Sequence, residues 1–494
     1  MALSAAPRTV SGPLATSGDE LASILGGTLL VDGNKPIRGC AVDSRVAATN
    51  QMFLALPGEQ THGLHHASEA LRAGATAIVV EGGEATAELR QALAEVELAV
   101  RAAGASLISV EDGRVALGRA AAEWRNRFTI EVIGVTGSVG KTTTKQLIAA
   151  ALGGEQAGCA ATPGNANNEI GLPMSLLNLR DGTVRYVAEM GMYVEGDIRA
   201  LCTLARPSIG VVTAIDAVHA ERAGDLDAIE RGKGELVEAL PPDGWALLAA
   251  DDLRVARLAT RTPARSATAG HAATADVRIV DAVLDEASGH TLVTLQIRAE
   301  TVRVDLPIFG LHFAKAAALA VAVADRCGIT PSDAAARLAA VQLPSGRATV
   351  RMMSGIRVID DAYNAAPTSM AAALATLAAC RPHRFAALGA MGELGAYAAD
   401  AHNAVGHAAA MSGLELLIVV GAEADGIAEG ARAGGMPIEK IMRLSSDAAG
   451  ITSAVGLLGD MATSGDTILV KASRSVELER LVNGLAVRWS EEAK

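Results

Sequence analysis

Hydrophobic positions along the chain follow two alternating patterns from residue 130 onward. Short runs rich in β-branched and aliphatic residues, such as IEVIGVTG at 130–137 and RYVAEM at 185–190, predict strands. The segments between them repeat apolar residues every three or four positions, which predicts helices. Strands that alternate with helices usually form parallel sheets with crossover helices. The pattern therefore predicts an α/β fold.

Changes in this pattern also predict the domain organisation. Residues 67–81 predict a helix that stops at Gly74 and then a strand, and residues 115–128 predict a helix; both precede the first alternating series. Residues 277–308 predict strand-turn-strand, typical of an antiparallel flank, and a second series begins after residue 347. Further strands are predicted at 208–215, 244–252, 356–361, 384–391, 414–421, 439–446 and 466–473. We expect three domains, at 1–128, 129–341 and 342–494.

Composition supports this fold class and limits the partners. Half of the 494 residues are hydrophobic but only 2% are aromatic, so aliphatic residues and alanine must build the cores. Such residues suit helices packed on parallel sheets better than an all-β sandwich. Acidic residues outnumber basic ones 55 to 43, and no basic stripe could neutralise a phosphate backbone. We expect no nucleic acid as a partner.

The cysteines and the apolar runs indicate a compartment. Five scattered cysteines without a C-x-x-C pair suggest neither a disulfide framework nor a zinc site. No apolar run is long enough for a signal peptide or a membrane helix. We therefore expect a soluble protein of the reducing cytoplasm. We also expect a monomer.

A glycine-rich segment, TGSVGKTTT at 136–144, joins a predicted strand to a predicted helix. Gly137 and Gly140 allow a tight turn whose N–H groups point inward. Lys141 supplies a cation, and Thr142 supplies a hydroxyl group for Mg²⁺ at the start of the helix. The spacing is the short form T-G-x-x-G-K-T. We interpret the segment as a loop that holds the phosphates of a nucleotide.

Three other interpretations of this loop stay open. A glycine-rich turn with a solvated lysine would need no ligand. The spacing of Gly134, Gly137 and Gly140 partly matches a dinucleotide fingerprint, but G-x-G-x-x-G is absent, and a lysine followed by threonines fits phosphate and Mg²⁺ better. A GTPase would also need an N-K-x-D motif, whereas Asn34 and Lys35 lie before the loop and are followed by proline.

A series of further motifs runs through the chain in a fixed order. They are DSR (43–45), MFLALPGE (52–59), TPGNANNEIGLP (162–173), EMG (189–191), AVHAE (217–221), IERGKGEL (229–236), PSGR (344–347), IDDAYNAAPTSM (359–370), LGAMGELG (388–395) and LVKASRS (469–475). Together with the phosphate loop, this series resembles that of the Mur ligases, the ATP-dependent amide-forming enzymes of peptidoglycan synthesis. The motifs GNANNEIG and IDDAYNAAP resemble the branch that adds D-alanyl-D-alanine.

The resemblance implies a fold and a reaction. It implies an N-terminal domain for the uridine substrate, a central P-loop domain with a parallel sheet that binds ATP, and a Rossmann-like C-terminal ligase domain. The implied reaction joins D-alanyl-D-alanine to UDP-MurNAc-tripeptide through an acyl phosphate, and releases ADP and phosphate. Lys141 and two Mg²⁺ ions would stabilise the charge on the phosphoryl oxygens.

The resemblance also implies the ligands of these two ions. Thr142 and Glu189 would bind the first ion and His219 the second. An ammonium group beside Mg²⁺ would be repelled, and only about one lysine in a thousand is neutral at pH 7. The resemblance implies that Lys233 reacts with CO₂ to form a carbamate, an anion that suits the metal. The implied catalytic set is Lys141, Glu189, His219 and Lys233.

The resemblance also implies the remaining binding residues, which are matched to the family pattern position by position. For ATP they are Thr136, Gly137, Ser138, Val139, Gly140, Lys141, Thr142 and Thr143 of the loop, with Arg347, Asp361 and Asn364. For the uridine substrate they are Ser44 and Arg45, and for the muropeptide or phosphate they are Asn165, Asn168 and Glu169.

Four positions at which the family pattern has a polar residue are alanine in this chain: Ala214, Ala316, Ala366 and Ala390. The resemblance puts an adenine-contacting asparagine at position 316, so we expect weaker discrimination between bases. Two other functions stay open. The chain could be a Mur-type ligase for another carboxylate and amine, or a nucleotide-binding homologue without catalysis.

Overall fold

Helices and strands alternate along the computed structural model, which describes residues 12–58, 61–82, 87–218, 220–342, 346–381 and 383–491. The helices are α1 (Gly18–Leu25), α2 (Ala67–Arg72), α3 (Ala87–Ala103), α4 (Gly113–Asn126), α5 (Lys141–Ala151), α6 (Gly171–Leu176), α7 (Asp197–Ala205), α8 (Ala220–Ala223), α9 (Leu226–Glu238), α10 (Leu253–Arg257), α11 (Phe313–Arg326), α12 (Pro331–Leu338), α13 (Pro367–Ala378), α14 (Ala398–Met411), α15 (Asp425–Ala433), α16 (Ala448–Met461) and α17 (Glu479–Glu491).

The strands are β1 (Thr28–Val31), β2 (Gly39–Ala41), β3 (Gln51–Ala55), β4 (Ala77–Glu81), β5 (Ser106–Val110), β6 (Glu131–Thr136), β7 (Cys159–Ala161), β8 (Arg185–Glu189), β9 (Ile209–Val212), β10 (Trp245–Ala249), β11 (Arg265–Gly270), β12 (Val277–Asp285), β13 (His290–Ile297), β14 (Glu300–Leu306), β15 (Thr349–Met353), β16 (Ile356–Asp361), β17 (Arg384–Gly389), β18 (Leu416–Val420), β19 (Ile441–Leu444) and β20 (Thr467–Lys471). By its contacts the chain divides into two compact units. Unit 1 comprises Met1–Gly134, Glu155–Gly191 and Asp197–Ser208. Unit 2 comprises Val135–Gly154, Met192–Gly196 and Ile209–Lys494.

Unit 1 contains a five-stranded sheet with the order β1-β5-β4-β3-β2. Strands β2 to β5 are parallel, and β1 runs antiparallel to β5. Its core is aliphatic apart from Phe53, and includes Ile78 and Leu107, each at most 1% exposed. In the same unit β7 pairs in parallel with β8, so that Glu189 stands at the carboxyl end of β8.

The first part of unit 2 combines parallel and antiparallel strands. Strands β9, β10, β11 and β12 are parallel neighbours, whereas β12, β13 and β14 form an antiparallel meander. Helix α11 packs against α5 and against strands β10 to β13. Alanines fill much of α11, which allows its backbone to lie close to its neighbours.

The second part of unit 2 contains a six-stranded sheet with the order β15-β16-β20-β17-β18-β19. Only the β15–β16 pair is antiparallel among these described strands. Strand β20 lies between β16 and β17, so Lys471 is opposite both Asp361 and Leu388. Ligands of open parallel sheets bind at the carboxyl ends of strands where the strand order reverses. These three strand ends are therefore a candidate binding edge.

The predicted α/β class, rich in parallel strands, is confirmed. Each predicted strand segment contains a strand, and residues 277–308 form the expected antiparallel flank with three strands instead of two. Strand β11 was not predicted because its sequence, RSATAG, lacks large apolar residues. The domain boundaries near 128 and 341 stay predictions. Across the described residues, no helix is both long enough and apolar enough to span a bilayer.

Candidate active site

The phosphate loop, residues 137–140, connects β6 to the first turn of α5. The segment after β9 anchors it. The amide of Ser138 donates to the carbonyl oxygen of Ala214 at 2.8 Å. The hydroxyl group of Thr213 donates to the carbonyl oxygen of Val139 at 2.5 Å and to that of Thr136 at 3.2 Å. These bonds hold the loop in one conformation.

The backbone geometry explains why both positions 137 and 140 of the loop are glycine. Gly137 has a φ of 148°, and a Cβ atom there would lie 2.0 Å from the hydroxyl oxygen of Thr213. Gly140 caps α5 with a φ of 83°, in the left-handed region that side chains rarely adopt. Any larger residue at Gly137 would push Thr213 away and loosen the loop.

Lys141 and Thr142 form the start of α5. The ammonium group of Lys141 donates to the carbonyl oxygens of Gly137 at 2.7 Å and Ser138 at 3.3 Å, so the side chain folds over the loop. The side chains of Thr142 and Thr143 are buried. A helix N-terminus carries a partial positive charge and directs N–H groups outward. This arrangement fits a bound phosphate group.

Lys233 lies on α9 and is only 2% exposed. Burial lowers the pKa of its ammonium group well below the usual value, and the positive charge of Lys141 lowers it further. Two acidic residues of the same helix pair with arginines instead: Glu230 with Arg254 at 2.6 Å and Glu238 with Arg261 at 2.7 Å. The structure thus brings together Lys141 and Lys233, which the sequence places 92 residues apart (233 − 141). An amine in this environment favours its neutral, nucleophilic form.

A second cluster occupies the candidate binding edge at the carboxyl ends of β16 and β20. The ammonium group of Lys471 donates to Oδ2 of Asp361 at 2.6 Å and to the carbonyl oxygen of Asn364 at 2.9 Å. Asp361 also accepts from the amide of Ala348 through Oδ1, at 3.1 Å. The guanidinium carbon of Arg347 lies 4.3 Å from the centre of the Tyr363 ring, a cation–π contact.

In unit 1 hydrogen bonds hold both the carboxylate and the backbone of Glu189. Its side chain is 1% exposed, and Oε1 accepts from the Nδ2 amide of Asn167 at 2.8 Å. Its backbone amide donates to the hydroxyl group of Thr162 at 2.9 Å. Asn167 is in turn held by its carbonyl oxygen, which accepts from the amide of Gly191 at 2.8 Å. The carboxylate of Glu189, at the end of β8, is therefore held in one orientation, so it can offer an oxygen atom to a metal ion.

The three substrate residues predicted in the GNANNEIG motif have different surroundings. Asn168 accepts from the amides of Gly171 at 2.8 Å and Ile170 at 3.3 Å, at the start of α6. Asn165 is exposed in the turn before it. Glu169 is exposed and lies 4.0 Å from Arg114.

The two residues predicted for the uridine substrate lie together in a 3₁₀ turn of unit 1, Ser44–Val46. The buried hydroxyl group of Ser44 donates to Oε2 of Glu69 at 2.7 Å. The Arg45 side chain is 79% exposed and pairs with Asp43 at 2.6 Å. Hydrogen bonds from Arg45 lower the pKa of Asp43 to about 2. Arg45 is therefore accessible from solvent.

One predicted metal ligand, His219, lies outside the described residues. Three contacts were not predicted from the sequence: those of Asn167, Thr213 and Lys471. The GNANNEIG motif offers three asparagines in four residues, and its pattern does not identify which one reaches Glu189. The sequence did contain a signal for the contact of Lys471. This lysine follows a strongly apolar strand, where a lone buried charge needs a partner.

The chain is similar to proteins of known family, both in sequence and in structure. Three family models match: "Mur ligase family, catalytic domain" at 36–125, "Mur ligase middle domain" at 135–324 and "Mur ligase, glutamate ligase domain" at 346–474. A Synechocystis protein named UDP-N-acetylmuramoyl-tripeptide–D-alanyl-D-alanine ligase is 35% identical over 456 residues, which cover 91% of this chain and 92% of that protein.

Two solved structures are also similar over nearly the whole chain. MurF from Acinetobacter baumannii superposes with a TM-score of 0.82 and 26% identity, covering 98% of this chain and 99% of that one. MurF ligase from Thermotoga maritima, solved in complex with ADP, has a TM-score of 0.79 and 27% identity, covering 92% and 98%.

Proposed function

Because the chain belongs to the Mur ligase family, we propose that it joins D-alanyl-D-alanine to UDP-MurNAc-tripeptide and converts ATP to ADP and phosphate. The curated relative with this named activity is similar over nine-tenths of both chains, which supports the substrate pair. The structural observation that carries the proposal is the buried amine of Lys233, which lies within the electrostatic influence of the phosphate-loop cation Lys141. A loop that only bound nucleotide would not need a second, desolvated lysine.

The first step activates the acid. A carboxylate oxygen of the tripeptide attacks the γ-phosphorus of ATP, the bond to the β–γ bridging oxygen breaks, and ADP leaves. Negative charge gathers on the phosphoryl oxygens in the transition state. Lys141 and the N–H groups at the start of α5 would stabilise that charge, since both are already directed toward the loop.

The second step forms the amide bond. The amine of D-alanyl-D-alanine attacks the acyl carbon, a tetrahedral intermediate forms, and the carbon–oxygen bond to the phosphoryl group breaks. The nitrogen loses a proton and inorganic phosphate leaves. We assign ATP binding to Arg347, Asp361 and Asn364 with the loop residues, and binding of the UDP-muropeptide to Ser44, Arg45, Asn165, Asn168 and Glu169.

We propose that the protein uses Mg²⁺ and a carbamate. Thr142 and Glu189 offer a hydroxyl and a carboxylate oxygen, the donors that Mg²⁺ prefers, and Glu189 is held in one orientation by Asn167. We propose that they hold one ion and that His219 and carbamylated Lys233 hold the other. Bound Mg²⁺ would neutralise charge on the phosphates. The lowered pKa of Lys233 supports the carbamate, because only the neutral amine adds to CO₂.

The test is phosphate release with purified protein, ATP and Mg²⁺. We expect release only when UDP-MurNAc-tripeptide and D-alanyl-D-alanine are both present, and one new amide product per phosphate. No response to this pair, with turnover on another acid and amine, would identify a different ligase. Nucleotide binding without turnover would identify a non-catalytic homologue. All five cysteines are free thiols, which supports our proposal that the reaction takes place in the reducing cytoplasm.

A further inference from the structure

Helix α13 begins without a capping side chain of its own. Its N-cap residue is Ala366, whose methyl group cannot accept a hydrogen bond. The hydroxyl group of Ser369 accepts from the Ala366 amide at 2.9 Å, so the first turn still folds back on itself. N-cap side chains normally accept from the second or third amide of a helix. That acceptor has to come from elsewhere in the chain.

The missing acceptor is Asp216, 152 residues earlier. Its Oδ2 atom accepts from the backbone amide of Thr368 at 3.2 Å and also from the hydroxyl group of Thr368. Its Oδ1 atom accepts from the amide of Ala217 at 2.8 Å, which fixes the orientation of the carboxylate. A carboxylate at a helix N-terminus is also favoured by the helix dipole. Asp216 thus acts as the N-cap of α13 although it belongs to the segment after β9.

The backbone of the same residue is bonded to the phosphate loop. The amide of Asp216 donates to the hydroxyl oxygen of Ser138 at 2.8 Å, and that hydroxyl group donates back to the carbonyl oxygen of Asp216 at 2.9 Å. Asp216 therefore links two features directly: a residue of the phosphate loop on one side and the first turn of α13 on the other.

We propose that Asp216 is a positioning residue that couples the phosphate loop to α13, so that nucleotide bound at the loop stabilises the first turn of that helix. The chain from Asp361 to Asn364 leads directly into α13, so this turn helps to fix the binding edge. The proposal rests on the proposed function only in taking the loop's ligand to be a nucleotide.

The capping geometry explains why the stability of the first turn of α13 can depend on the phosphate loop. A side chain at position 366 would cap α13 whatever the position of the phosphate loop. A cap supplied by Asp216 is present only while the segment after β9 lies against α13. Other contacts join the same two parts of unit 2, such as the ion pair of Arg357 with Glu286 at 3.1 Å, but these residues have no bond to the loop.

Hydrogen exchange measures this coupling without any peptide substrate. The amides of the first turn of α13 are compared in the presence and absence of a non-hydrolysable ATP analogue with Mg²⁺, with binding measured separately by calorimetry. We expect nucleotide to slow their exchange in the native protein. Asp216→Ala should speed basal exchange there about fivefold, as loss of an N-cap typically does, and should abolish the response to nucleotide.

Two further variants separate coupling from simple capping. Ala366→Asn added to Asp216→Ala supplies a local cap, so basal protection should return while the nucleotide response stays lost. Asp447→Ala is the matched control, because Asp447 caps α16 by accepting from Gly450 at 2.9 Å. It should speed exchange in α16 and leave the response of α13 intact.

Three results would overturn the proposal: no nucleotide response in the native protein, a response that survives Asp216→Ala, or full recovery of the response on adding Ala366→Asn. Failure of the proposed function looks different. Suppose that the two-substrate assay gives no phosphate but α13 still responds to bound nucleotide through Asp216. The proposed substrates would then be wrong, whereas the coupling would be supported.

Discussion

Asn167 donates from Nδ2 to Oε1 of Glu189 at 2.8 Å, and so orients a carboxylate that is 1% exposed. Groups that hold a metal ligand in place often affect metal affinity almost as much as the ligand does. Asn167 is therefore a positioning residue for the proposed Mg²⁺ site.

Asn167→Ala should raise the Mg²⁺ concentration needed for half-maximal activity by about tenfold or more, because Glu189 loses its orienting donor. Titration of phosphate release with Mg²⁺ at saturating substrates measures this. Asn178→Ala is the control, since the side chain of Asn178 donates to the carbonyl oxygen of Met174 at an exposed position. An unchanged Mg²⁺ dependence in Asn167→Ala would contradict the role of this contact.

Lys141→Ala should lower kcat by about 10² or more, because the charge that forms on the γ-phosphoryl oxygens loses its cation. Steady-state phosphate release measures kcat, and calorimetry with ADP checks that nucleotide still binds. Lys35→Ala is a suitable control, because Lys35 bonds to the carbonyl oxygen of Ala103 at the surface of unit 1. Nearly normal turnover in Lys141→Ala would contradict the interpretation of this segment as a catalytic phosphate loop.

Lys233→Ala should be inactive and should regain part of its activity when acetate or another short carboxylic acid is added, since such an anion can occupy the position of the carbamate. The measurement is phosphate release against acid concentration, with the native protein showing no such activation. Lack of rescue by acids of several lengths would count against the carbamate.

The lowered pKa of Lys233 also predicts a pH dependence of stability. Between that lowered pKa and the usual value of about 10.4, the unfolded chain binds a proton that the folded chain does not. The free energy of unfolding should therefore rise with pH in this window and fall as the pH is lowered. Lys233→Met should reduce this slope.

Urea unfolding of protein without Mg²⁺ or bicarbonate, at pH 7 and pH 9.5, measures the effect. We expect the native protein to gain stability relative to Lys233→Met at the higher pH. Equal pH dependence in the two proteins would show that the amine is not desolvated.

Lys471→Met should destabilise unit 2 by about 3–5 kcal/mol, because it leaves Asp361 without the partner of a buried ion pair. The side chains of this pair are 3% and 14% exposed. Lys471→Met combined with Asp361→Leu should recover part of the loss in urea unfolding. The exposed pair of Lys440 with Glu415 is the control, and Lys440→Met should cost less than about 1 kcal/mol. Equal costs for the two single variants would contradict the importance of burial.

The sequence by itself determined the features that depend on neighbouring residues. The phosphate loop is one, because Gly137 and Gly140 have backbone conformations that few other residues adopt, and Lys141 follows at the start of a helix. The alternating strands and helices are another, since their apolar periodicity reflects which face is buried. Strand β11 shows the limit, because its small residues carry no such signal.

Tertiary structure alone decided which distant residues meet. Lys471 reaches Asp361 across 110 residues because β20 inserts beside β16, and Asp216 reaches Thr368 across 152 residues. It also selected Asn167 from three asparagines as the partner of Glu189. Local sequence cannot encode such choices, because each depends on sheet order and on the direction in which a side chain leaves its backbone.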